Sequence, residues 1–111
     1  MAHLHILWTN GDELTFDKMV AMYSRNAMLH RWWEEITLVI WGSPAKLAAE
    51  SELVAQRIGE LIQVGVKVSA CKACTDALGV SERLSEMGVE IKYWGEGLTE
   101  ILKEGKHLLT I

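Results

Sequence analysis

The sequence predicts an α/β fold, a three-layer sandwich of about five mostly parallel strands with helices on both faces. Three observations carry the prediction. Short apolar or β-branched runs alternate with stretches of helical apolar spacing from Leu4 to Ile111, the order that βαβ units produce. The run Ile36-Thr37-Leu38-Val39-Ile40-Trp41 is apolar at nearly every position, which suits a strand covered on both faces. The chain has 111 residues, half of them apolar, enough for one three-layer core and too few for two separately cored domains. Residues 1–111 are therefore read as one domain with a flavodoxin-like arrangement.

The elements follow in order. Leu4 to Trp8 is short and apolar, stops at Thr9-Asn10-Gly11-Asp12, and reads as a buried first strand. Thr15 is expected to cap a helix whose apolar positions Phe16, Met19, Val20, Tyr23 and Ala27, with His30 as a further member, keep helical spacing to about Trp32. Ile36 to Trp41 is the second strand. Gly42-Ser43-Pro44 supplies a turn, an N-cap at Ser43 and a proline at the first helical position. Ala45 to Val64 is helical by the spacing of Val54, Ile58, Leu61 and Ile62, with a break expected at Glu50-Ser51-Glu52 and Gly65 as the C-terminal cap. Val66 to Ala70 is the third strand. Lys72 to Met87 reads as two short helices divided at Gly79, with Ser81 capping the second. Val89 to Trp94 is the fourth strand, Gly95-Glu96-Gly97 a loop, Leu98 to Glu104 a short helix and His107 to Ile111 the fifth strand.

Composition narrows the function classes. A net charge of −4, with eleven scattered Lys and Arg, offers no basic stripe for nucleic acid or anionic membranes. His3 and His5 interrupt the first apolar run, and the polar Thr9–Asp12 stretch follows at once, so a signal peptide is not expected. No run approaches the roughly 20 apolar residues of a membrane span. A cytoplasmic location is expected, and there two cysteines are more plausibly reactive or reduced than a structural disulfide.

A parallel sheet aligns the carboxyl ends of its strands on one edge, where ligands bind. Four segments are expected to converge there: Trp8 to Asp12, Trp41-Gly42-Ser43, Ala70-Cys71-Lys72-Ala73-Cys74 and Trp94-Gly95-Glu96-Gly97. The tryptophans either close the end of the core or line a cleft around a reactive sulfur. In the second case Trp8, Asn10, Trp41, Lys72 and Trp94 form the cleft around Cys71 and Cys74. A thiol where a strand ends and a helix begins meets unpaired amide N–H groups, which favour the thiolate.

The Cys71-x-x-Cys74 pair admits several chemistries. Structural zinc wants four ligands, and the remaining candidates are only His3, His5, His30 and His107, so no metal is expected. A thioredoxin-type site needs a later proline opposite the disulfide, whereas Pro44, the only proline, precedes the pair. Buried structural thiols, a redox-sensing pair, and a non-catalytic oligomeric binding module whose aromatic edge holds a ligand while the thiols are incidental all remain open. Nucleophilic sulfur chemistry is the remaining option: Cys71 as thiolate takes up a sulfur atom, carries it as a persulfide and passes it to another thiol. Lys72 either assists electrostatically or is simply solvated, and Cys74 either resolves the persulfide or merely packs. No cofactor is expected.

Leu4-His5-Ile6-Leu7, Val39-Ile40-Trp41-Gly42, Val68-Ser69-Ala70-Cys71-Lys72-Ala73-Cys74, Gly88-Val89-Glu90-Ile91-Lys92-Tyr93 and Leu98-Thr99-Glu100-Ile101-Leu102 together resemble the DsrE/DsrF-like family of small sulfur-relay proteins, which includes the TusD type. Sulfur-carrying members place a cysteine directly after the third strand and a glycine eight residues later, and Cys71 and Gly79 match this pattern. The resemblance implies that Cys71 is the sulfur acceptor, while Cys74 matches only the branches with a second cysteine. It also implies sulfur donor and acceptor proteins as partners and assembly into trimers or hexamers, with Trp32 and Trp33 as candidate interface residues. Pathways of this kind serve tRNA thiolation or dissimilatory sulfur oxidation, and the resemblance alone does not choose between them.

Overall fold

The computed structural model describes residues 2–111. Five strands form one all-parallel sheet in the order β4-β3-β2-β1-β5. The strands are β1 (His3–Trp8), β2 (Glu35–Ile40), β3 (Lys67–Cys71), β4 (Glu90–Lys92) and β5 (Leu108–Thr110). The first three crossovers all step the same way across the sheet, and only the last returns past β1. With right-handed crossovers, this order puts the helices between β1 and β4 on one face and the helix before β5 on the other.

The core divides accordingly. Leu4, Ile6 and Trp8 pair in register with Ile36, Leu38 and Ile40, and with Val68 and Ala70 they form a large apolar face. Onto that face pack Phe16, Val20, Ala27, Ala45, Ala48, Val54, Ile58, Leu61 and Leu84 from successive helices. On the opposite face a smaller cluster of Val39, Cys71, Trp94 and Ile101 is joined by Leu7, Trp41, Cys74 and Leu108. One helix, Gly95–Lys103, supplies its cover. Among the described residues no helix is long and apolar enough to cross a membrane.

Several boundaries differ from the sequence expectation. The first helix is capped by Asp12, whose carboxylate accepts from the Thr15 N–H at 2.9 Å and from the Thr15 hydroxyl at 2.8 Å. Thr15 thus sits inside the helix, because a carboxylate three residues upstream reaches the free amides first. The helix continues through a π-helical stretch, Phe16–Ala21, which periodicity at 3.6 does not reveal. It ends at Leu29 rather than Trp32, and Arg31 turns the chain with φ +56°. The N-cap of Ser43–Glu50 is Gly42 at φ +81°, not Ser43, and the expected break falls at Ser51, whose hydroxyl accepts from the Val54 N–H. Ser81 does not cap its helix; its hydroxyl joins Thr75 and Asp76 instead.

The Gly95-Glu96-Gly97 loop is instead the first turn of the helix Gly95–Lys103, closed by Leu98 N–H to the Trp94 carbonyl at 2.8 Å. A Cβ on Gly97 would lie 3.1 Å from the Trp94 ring, so this glycine allows close approach rather than a turn. β4 is correspondingly short, because an edge strand holds only the registers Ser69↔Glu90, Ala70↔Ile91 and Cys71↔Lys92.

Candidate functional site

Alternation along β3 decides which side chains share Cys71's surroundings. Lys67, Ser69 and Cys71 point to one face, Val68 and Ala70 to the other, since successive strand side chains alternate. Cys71 is the last residue of β3 and directly precedes the helix Lys72–Leu78. That helix is closed by Gly79 in the left-handed conformation, with Gly79 N–H to the Asp76 carbonyl and Val80 N–H to the Thr75 carbonyl. Thr75, fully buried, takes a hydrogen bond from Ser81 at 2.7 Å and ties the two short helices together.

The Cys71 side chain is 4% exposed and packs with Val39, Trp94 and Ile101. Cys74, half-buried, lies in contact with it, and neither thiol is in a disulfide. Burial pushes the Cys74 thiol above its ordinary pKa, and contact with Cys71 adds to the rise; the Gly42 N–H, directed at the Cys74 sulfur, offsets part of it. The pair is thus a sealed sulfur with a more accessible sulfur beside it.

The tryptophans separate by face. Trp41 and Trp94 belong to the cluster around Cys71. Trp8 is fully buried on the opposite face, stacked on Phe16 at 4.3 Å, because its even register with Leu4 and Ile6 points it into the larger core. Asn10 is a loop residue: its carbonyl accepts from the Trp8 indole at 2.7 Å and its side chain from the Asp12 N–H at 2.8 Å. The structure therefore brings Trp41 and Trp94 to Cys71 and leaves Trp8 and Asn10 elsewhere. The sheet order explains part of this. The strand order reverses between β1 and β5, whereas Cys71 ends β3, between β2 and β4. Lys72 places its ammonium on Asp76 at 2.7 Å, an i,i+4 pair that raises the lysine and lowers the aspartate.

Ser69 is a residue the sequence reading did not single out. It is 2% exposed, donates to the Glu90 carbonyl at 2.9 Å and accepts from the Trp94 indole at 2.8 Å. One hydroxyl thereby joins β3, β4 and the wall of the Cys71 cluster. Its signal was present in the period-two spacing, two residues before Cys71 on the same face.

Away from the thiols, cavities open among the described residues. A groove of about 240 Å³ between the first helix and Glu52–Gln63 is lined by Asp17, Lys18, Arg25, Arg57 and Glu60, and within it Arg57 pairs with Asp17 at 2.8 Å and with Glu60 at 3.3 Å. A larger cleft of about 520 Å³ opens over the amino-terminal half of β1, β2, β3 and β4, with Trp94 in its wall. Among the described residues, no group of three or more His, Cys, Asp or Glu side chains is arranged to hold a metal ion.

Comparison with known proteins agrees with this architecture. A conserved protein of unknown function from Bacteroides thetaiotaomicron superposes with a TM-score of 0.97 at 36% identity, covering 99% of this chain and 95% of that one. A protein of unknown function from Methanobacterium thermoautotrophicum gives 0.79 at 21% identity, and the ychN protein from E. coli 0.64 at 18%, each with 100% of both chains covered; these two show the fold alone. No curated protein matches the chain. The model of the DsrE/DsrF-like family matches residues 12–111, a span that includes both cysteines and four of the five strands, and the chain belongs to that family.

Proposed function

We propose that the protein is a sulfur carrier in which Cys71 accepts a sulfane sulfur atom and hands it to a partner thiol. The observation that carries the reading is the placing of Cys71 at the end of β3 and the start of a helix, in a chain of the DsrE/DsrF-like family. The Cys71 thiolate attacks the terminal sulfur of a donor persulfide; a new S–S bond forms on Cys71, the donor's S–S bond breaks and the donor leaves as a thiolate. Delivery to an acceptor thiolate is the same exchange in reverse. Val39, Trp94 and Ile101 keep water from the carried sulfur, and access to so buried a residue requires these side chains to part locally.

Cys74, in contact with Cys71, supplies a second outcome. Its thiolate attacks the inner sulfur of the Cys71 persulfide, forming a Cys71–Cys74 disulfide and expelling hydrosulfide, so that both cysteines are oxidised and the carried sulfur is reduced. The same contact favours a second reading, a reversible thiol redox pair that carries no sulfur. Assembly into trimers or hexamers belongs to the proposal, supported by large apolar side chains left on the surface, among them Tyr93, Leu102 and Trp32. Trp33, the other interface candidate, is half-buried and donates to the Tyr23 hydroxyl at 3.0 Å. The test is intact-mass measurement of reduced protein after incubation with a persulfide donor. Wild type should gain sulfur and Cys71→Ser should not; equal gain by both, or none by wild type, overturns the reading.

A further inference from the structure

The helix Gly95–Lys103 covers only the carboxyl half of its face, where one apolar cluster holds both thiols; the amino-terminal half stays open as the larger cleft. Cys71 is the last residue of β3, and Cys74 lies on the first turn of Lys72–Leu78. That turn brings the second sulfur back against the first. Val39, Trp94 and Ile101 wall the pair, with Leu7, Trp41 and Leu108 beside them.

Two sulfurs meeting in apolar surroundings cannot both ionise cheaply, since like charges repel and a low dielectric strengthens the repulsion. A cation shared between them removes that cost. Which cation follows from counting ligands. Among the described residues no group of three or more His, Cys, Asp or Glu side chains is arranged to hold a metal ion, so a four-ligand zinc site is not formed. Two thiolates alone satisfy a soft monovalent ion, and thiolate is the ligand class that selects Cu(I). The sequence argument against a metal concerned four-ligand zinc and leaves this two-ligand case untouched.

We infer that Cys71 and Cys74 form a two-coordinate site for Cu(I), both sulfurs binding one ion. Each S–H releases its proton and each sulfur donates a lone pair to the metal, so one cation replaces two protons. A single negative charge remains on the S–Cu–S unit, and nothing is oxidised or reduced. The Gly42 N–H, directed at the Cys74 sulfur, faces that charge. The ion enters from the Cys74 side, because Cys74 is half-buried and Cys71 is 4% exposed. The site uses the sulfurs of the carrier reading but not its reaction, and it stands whether or not Cys71 accepts sulfur.

The test is an anaerobic titration of the reduced full chain into the coloured bicinchoninate complex of Cu(I), followed by the loss of absorbance. The protein should withdraw one Cu(I) per chain. Cys71→Ser and Cys74→Ser should each bind at least about 100-fold more weakly, since losing a partner outside the coordination shell already costs roughly 10–100-fold. Cys74→Ser, at the half-buried sulfur, carries the test if Cys71→Ser does not fold. X-ray absorption at the copper edge of the loaded chain should show two sulfur neighbours and no nitrogen or oxygen. The inference is overturned by no withdrawal of Cu(I), by half an ion per chain, by wild-type affinity in Cys74→Ser, or by a third ligand in the absorption spectrum. A chain that gains sulfur from a persulfide donor yet withdraws no Cu(I) refutes this site and leaves the carrier reading standing; the converse refutes the carrier reading alone.

Discussion

Removing the Trp94–Ser69 hydrogen bond should loosen the wall of the Cys71 cluster by a measurable and separable amount. In Trp94→Phe the indole donor to Ser69, a bond of 2.8 Å between residues 6% and 2% exposed, is lost. A buried hydrogen bond contributes about 1 kcal/mol. The smaller ring leaves a cavity costing about 1 kcal/mol more at ~24 cal/mol per Å³. The sum of about 2 kcal/mol corresponds to a fall in Tm of roughly 8 °C for a domain of this size. Ser69→Ala removes the same bond together with the one to the Glu90 carbonyl, and leaves the indole N–H unpaired, at about 1–3 kcal/mol. Urea denaturation of both single variants and the double variant, at one fixed protein concentration, isolates the shared term. A coupling of about 1 kcal/mol is expected. Additivity within about 0.3 kcal/mol would show that the indole and the hydroxyl act separately, and would refute the view that Ser69 holds Trp94 over Cys71.

Two other perturbations follow from local geometry. Gly42 has φ +81° and ψ −140°, and nothing lies within 4 Å of a Cβ added there, so Gly42→Ala should cost about 1–3 kcal/mol through backbone strain alone; a cost below about 0.5 kcal/mol would remove that argument. His5 is lowered from 6.5 to about 4, chiefly by burial, then by the charges of His3 and Lys106. Because the unfolded chain then binds a proton that the folded chain does not, stability should be fully present above pH 6.5 and fall as pH drops from 6.5 towards 4. Chemical denaturation across that window should show the slope in wild type and a shallower one in His5→Gln; identical slopes would contradict the assignment.

What was legible in the sequence was whatever repeats along the chain. The five strands, their alternation with helices and the break at Ser51 follow from periodicity and turn residues, and the parallel sheet follows from them. The placing of Cys71 at a strand end was equally readable. The division of the sheet into a fully covered and a half-covered face was not, because strand order is a property of the whole chain. Alternation along β1 puts Trp8 on the face of Leu4 and Ile6, and the strand order makes that face the larger core, while Trp41 and Trp94 join Cys71 on the other. Helix starts were misplaced where two groups competed for the same free amides, as with Asp12 and Thr15. Gly95 and Gly97 read as a loop because glycine serves both turns and close approach, and only the Trp94 ring beside Gly97 decides between them. For Lys72 the sequence leaves open assistance to the thiol or plain solvation, and the Asp76 carboxylate four residues on, which holds its ammonium at 2.7 Å, is a contact that composition does not reveal.

The central claim concerns one sulfur atom on one cysteine. Reduced wild type, Cys71→Ser and Cys74→Ser should be incubated with a persulfide donor, freed of excess donor and weighed intact under non-reducing conditions. Wild type and Cys74→Ser should gain one sulfur atom, Cys74→Ser should hold it longer, and Cys71→Ser should gain none. In wild type the bound sulfur should decay to a species two hydrogens lighter than the reduced chain as hydrosulfide leaves. Sulfur on Cys71→Ser equal to that on wild type, or none on Cys74→Ser, would contradict the account.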